Sequence, residues 1–100
     1  MIIFNTTYNI THTVEQEWLK WMKTIHVPEI YTTQLISEVK ILKLLTEIEN
    51  QGVTYTCQLS FITMEDFLTY QMQFQDDLQE KHHDLFKGQY VSFRTLLKEV

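Results

Sequence analysis

Within 100 residues the apolar period switches from two to about 3.6 and back, and then does so again. Few folds can absorb that pattern. Residues 2–11 alternate, with Ile2, Phe4, Thr6, Tyr8 and Ile10 on one side and Ile3, Asn5, Thr7, Asn9 and Thr11 on the other. That is a half-buried strand. Thr13 and Gln16 then have the spacing of a capping box. The helix they open carries the stripe Val14, Trp18, Trp21, Met22 and Ile25. It is expected to end near Ile25, because Pro28, the single proline, disfavours helix at Val27; "PEIYTTQ" has room for one further short turn.

The second half repeats the pattern. "ISEVKILKLLTEI", residues 36–48, and "VTYTCQLSFI", residues 53–62, read as strands joined by the turn "ENQG". A long helix follows, with Thr63 as N-cap, Glu65 and Asp66 in its first turn and Gly88 at its end. Its stripe is Phe67, Tyr70, Phe74, Leu78 and Leu85. "YVSFRTLLKEV" closes the chain as a fourth strand. The order β-α-β-β-α-β predicts an α+β, ferredoxin-like single domain over residues 1–100. Its antiparallel sheet has the expected order 4-1-3-2, with both helices on one face.

Such a sheet has two chemically different sides. The set Phe4, Tyr8, Ile10, Val39, Ile41, Tyr55, Cys57, Leu59, Phe61, Val91, Phe93 and Leu97 is expected beneath the helices. The other side would present Asn5, Thr7, Asn9, Lys40, Leu42, Leu44, Thr56, Gln58, Ser60, Ser92, Arg94 and Leu96. Polar groups mixed with large leucines suit the inside of a barrel made by two copies. A domain of this size buries only about two thirds of its unfolded surface and gains from further burial. A homodimer through the open face is therefore expected; a monomer with a few exposed leucines is the alternative.

Composition removes several function classes. The net charge of −5 disfavours nucleic acid and anionic membranes as partners. The apolar runs are too short to span a bilayer. The start lacks a basic segment followed by a long apolar run, so the Asn5 and Asn9 glycosylation patterns are read as chance. A single cysteine, Cys57, excludes an internal disulfide and fits a reducing cytoplasm. It lies among apolar neighbours and reads as a packed thiol. No phosphate loop or serine elbow is present. The third strand lacks the RNA-recognition signature.

The chemistry-bearing candidates are few. His26 falls about 80° to one side of the Trp18–Met22 stripe. It either borders a ligand pocket with Trp21 or hydrogen-bonds carbonyls freed by the helix end. His82 flanks the second stripe in the same way, and it either frames that pocket or packs on Phe86. Arg94, the only arginine, suits bidentate pairing with a ligand carboxylate or an ion pair at the sheet edge. Asn5, Thr7 and Gln58 would add neutral hydrogen bonds. Asp76, Glu80, His83 and Asp84 share a helix face but close no four-ligand set, so no metal and no cofactor are expected.

The opening "MIIFNTTYNI", "EWLKWMKTIHVPEI", His82 and Phe86 in "HHDLF", and "VSFRTLLKEV" resemble a family of roughly hundred-residue bacterial proteins known only as a domain of unknown function. More loosely, Trp21, His26 and Pro28 resemble the aromatic and H-x-P pattern of EthD-like proteins in the dimeric α+β barrel superfamily. That likeness implies a ligand cavity between the open sheet face and the helix ends. Two readings follow. One is a homodimeric barrel that binds, or transforms without a cofactor, a small carbonyl, carboxylate or aromatic molecule. The other is an interaction module with no cavity.

Overall fold

The computed structural model describes residues 1–46 and 52–100. The expected 49–52 turn, apart from Gly52, lies outside the described residues, as does the end of the second expected strand. The elements are β1 (Ile2–Ile10), α1 (Glu15–Trp21), a π turn (Met22–His26), α2 (Val27–Tyr31), β2 (Glu38–Lys43), β3 (Val53–Phe61), α3 (Met64–Gln73), α4 (Gln75–Phe86) and β4 (Tyr90–Lys98). The strands form one antiparallel sheet ordered β2-β3-β1-β4. This is the expected order read from the other edge, and the fold is the α+β, ferredoxin-like one.

The core lies between the sheet and the helices. β1 and β3 put Ile2, Phe4, Tyr8, Ile10, Tyr55, Cys57, Leu59 and Phe61 there, all buried. Trp18 meets Tyr8 and Tyr55 from the first helical layer, and Phe67 meets Phe4 and Phe61 from the second. Each fully buried large side chain contributes about 1.5–3 kcal/mol.

The first helix does not end at Pro28. Backbone hydrogen bonding widens to a π turn over Met22–His26, and α2 resumes with Pro28 in its first turn, where the missing N–H is not needed. The wider turn also cancels the drift of a four-residue spacing. Trp18, Met22, His26 and Ile30 therefore stay buried in line, while Ile25, expected in the stripe, is exposed. The Thr13–Gln16 capping box does not form, because the chain enters α1 through a tight turn at His12–Val14 with no side-chain cap. The start of α1 is tied to the sheet instead: the Tyr55 hydroxyl donates to Glu15 Oε2 at 2.6 Å, and Lys43 Nζ lies 3.3 Å from the same oxygen.

The second helix begins as expected, with Thr63 Oγ1 accepting the Asp66 N–H at 3.1 Å. It breaks at Phe74, whose φ of −126° and ψ of −28° are not helical. The break resets the phase, so His82 and Phe86 are buried and the expected stripe residue Leu85 is exposed. Gly88 ends the helix at φ 79°.

The face expected for β4 is reversed. Phe4, Thr6 and Tyr8 stand opposite Leu96, Arg94 and Ser92, and directly opposed residues share a face. Tyr90, Ser92, Arg94 and Leu96 therefore belong to the helix side. Val91, Phe93 and Leu97, assigned above to the core, project from the open side and are exposed. The cause is register. The Thr11 N–H donates to Gln89 O at 3.0 Å, and their side chains join at 2.7 Å. That clamp sets Tyr90 opposite Ile10. A one-residue difference exchanges every side chain between faces, and apolar residues at both parities of β4 hid it.

Candidate functional site

The sheet divides the candidate residues between its two sides. Trp21, His26, His82 and Arg94 lie on the helix side, whereas Asn5, Thr7 and Gln58 lie on the open side.

On the helix side, the Trp18 indole N–H donates to His82 Nε2 at 2.8 Å. His82 is therefore neutral, with its proton on Nδ1. Trp21 stacks on His26 at 4.8 Å between ring centres, and His26 and His82 are 6.2 Å apart. Tyr8 and Tyr90 close on His82 at 4.8 and 4.6 Å. Burial holds both imidazoles at about 4, well below the usual histidine value; for His82 the neighbouring His26 and His83 add to the effect. Nδ1 of His26 is buried and has no hydrogen-bond partner.

Two small cavities adjoin this pair and share Thr6, Tyr8 and Gln79 as walls. One, of about 20 Å³, borders His26 and Cys57. The other, also about 20 Å³, borders His82, Tyr90 and Arg94. Each is large enough for about one water molecule. The histidines are thus a packed, neutral polar core that no organic molecule can enter without rearrangement. Arg94, on the edge strand β4, reaches to α4, where its Nη2 donates to Gln79 Oε1 at 2.5 Å.

On the open side, β1 and β3 set Asn5 opposite Gln58 and Thr7 opposite Thr56. Asn5 Nδ2 donates to Thr7 Oγ1 at 3.1 Å. Asn5 Oδ1 and Thr56 Oγ1 are buried without partners. Apolar side chains flank this polar floor: Leu42 and Leu44 on the β2 side, Val91, Phe93 and Leu97 on the β4 side, all exposed. Among the described residues, no group of three or more His, Cys, Asp or Glu side chains is placed to hold a metal ion. No helix among them is long and apolar enough to cross a membrane.

Sequence reasoning missed Trp18 as the partner of His82, and Thr56 and Gln75 as buried polar groups. The four-residue spacing of Trp18, Met22, His26 and Ile30 through the proline was a readable sign that the helix continues. The pairing of Trp18 with His82 joins positions 64 residues apart and has no local signature.

Solved structures share the fold over nearly the whole chain. An ethyl tert-butyl ether d (EthD) family protein from Bacillus halodurans aligns with a TM-score of 0.73 at 12% identity, over 100% of both chains. A dimeric ferredoxin-like protein from an uncultured marine organism aligns at 0.64 and 13% identity, covering 99% of this chain and 97% of that one. The hydroxynitrile lyase from Passiflora edulis aligns at 0.61 and 16% identity, covering 99% and 95%. At these identities the likeness is one of fold alone. No curated protein matches the sequence. A family model matches residues 1–100 in full, and the chain belongs to that family, the domain of unknown function DUF4286.

Proposed function

We propose that the protein works as a homodimeric α+β barrel in which two open sheet faces close around a small neutral molecule. The observation that carries this reading is the open face itself. Its polar centre at Asn5, Thr7, Thr56 and Gln58 holds two buried acceptor atoms without partners, and its flanks are exposed apolar side chains, Phe93 at 64% and Val91 at 69%. An apolar flank of this kind is stabilised by a second copy. An unsatisfied buried polar centre is stabilised by a hydrogen-bonding guest or by trapped water. A hollow of about 210 Å³ beside Leu42, Leu44 and Thr56 leaves room at the rim.

With Arg94 on the other side of the sheet, the centre of the lining on β1 and β3 is amide and hydroxyl, and the charges of this face that stand on the edge strand β2, Lys40 and Glu38, lie 3.9 Å apart as a pair. The lining therefore favours a small carbonyl or hydroxyl compound over a carboxylate. The dimeric ferredoxin-like neighbour supports the assembly by analogy.

The test is sedimentation of the wild type and Phe93→Glu at micromolar concentration. The wild type is expected to sediment as a dimer. The variant is expected to sediment as a folded monomer, because a carboxylate would be buried against apolar groups. A wild-type monomer at high micromolar concentration removes the proposal.

A further inference from the structure

A groove of about 430 Å³ runs between α3 and β4 on the helix side. Phe4 and Phe67 line it, Met64 and Leu68 come from α3, and Leu96 from β4. Phe4 and Phe67 are buried, whereas Met64, Leu68 and Leu96 remain 43–46% exposed and form apolar walls open to solvent. The same groove contains Arg94 and Gln75.

Both polar residues are incompletely used. Gln75 is only 7% exposed, yet its Oε1 has no hydrogen-bond partner. Arg94 donates to Gln79, and among the described residues it forms no ion pair. Its charge acts on the neutral phenols of Tyr8, Tyr70 and Tyr90. A guanidinium has five N–H donors in a planar fork, and one acceptor does not saturate it. In a chain with thirteen acidic residues and a net charge of −5, the one arginine faces glutamines and tyrosines.

We infer that this groove binds an amphiphilic monocarboxylate, with its carboxylate on Arg94 and its acyl or aryl body along Met64, Leu68 and Leu96. A planar carboxylate matches the fork in bidentate fashion. The body covers apolar surface that the fold leaves in water. The groove lies wholly within one protomer, so the inference does not depend on the dimer proposed above.

Octanoate is the probe, followed by methyl and arginine side-chain NMR of the wild type. Saturable shifts are expected at Met64, Leu68, Leu96 and Arg94. Octan-1-ol, with the same chain and no charge, is expected to bind about tenfold more weakly or worse. Acetate, with the charge and no chain, is expected not to saturate. Arg94→Gln should reduce octanoate affinity by about tenfold and bring it level with octan-1-ol. Leu68→Glu, at a solvent-facing wall, should abolish octanoate binding while leaving the fold intact. Phe93→Glu, on the opposite side of the sheet, should leave it unchanged. The inference is overturned by the absence of saturable shifts, by equal octanoate affinity in wild type and Arg94→Gln, or by shifts confined to the open face around Asn5 and Phe93. A wild-type monomer that still binds octanoate at the groove sinks the dimer and leaves this site standing.

Discussion

The buried histidine pair makes folding stability depend on pH in a window where few other groups titrate. His26 and His82 are 5% and 3% exposed, and each is held at about 4 instead of 6.5. Between those values the unfolded chain carries protons on these rings and the folded chain does not. Unfolding then takes up protons, so stability falls as pH falls. Integrated from pH 7 to pH 5, the loss is about 2 kcal/mol for each histidine and about 4 kcal/mol for the pair. Domains have only about 5–15 kcal/mol in total. Ordinary carboxylates titrate mostly below this range, so the slope belongs to the histidines.

His26→Phe isolates one contribution. The phenyl ring keeps a stacking surface for Trp21 and removes the unpartnered Nδ1. At pH 7 the variant is therefore expected to be at least as stable as the wild type, since deleting an unsatisfied buried polar atom offsets the change in shape. Between pH 7 and pH 5 it should lose about 2 kcal/mol where the wild type loses about 4 kcal/mol. Urea unfolding followed by tryptophan fluorescence at pH 7, 6 and 5 reads both numbers. Equal wild-type stability at pH 7 and pH 5 would falsify the neutral-pair reasoning, and so would an unchanged slope in the variant.

Two further outcomes follow from the packing. A β-carbon at Gly52 would lie 2.4 Å from the Ile10 carbonyl oxygen, and backbone cannot yield as a side-chain tip does. Gly52→Ala should therefore cost about 1–3 kcal/mol in urea unfolding; a cost near zero would show that β1 and the start of β3 are not held together there. The Cys57 thiol is 5% exposed, and burial pushes it up to about 12. An aromatic disulfide reagent at pH 8 should label it only in denaturant, and rapid labelling of the native chain would refute the packed-thiol assignment.

Much of the architecture was written locally. The alternation in β1 and β3, the cap at Thr63 and the stop at Gly88 depend on neighbours along the chain, so the element order and the ferredoxin-like sheet could be read from them. Boundaries were less legible. Pro28 disfavours helix by local sterics, but the buried contacts of Met22, His26 and Ile30 outweigh that cost and draw the chain through a π turn. The face of β4 could not be read at all. Val91, Phe93 and Leu97 are as apolar as any core set, and only the Thr11–Gln89 clamp decides which parity points inward.

That one register choice carries most of the functional consequence. The sequence by itself determined which chemistry is available: one guanidinium, two indoles, a few histidines and a polar row along β1 and β3. Tertiary structure alone placed Arg94 beside an apolar groove, left the centre of the open face without its guanidinium, and brought His82 to Trp18. The physical reason is that periodicity encodes alternation within an element, whereas partner and face are set by hydrogen bonds between residues far apart in the chain.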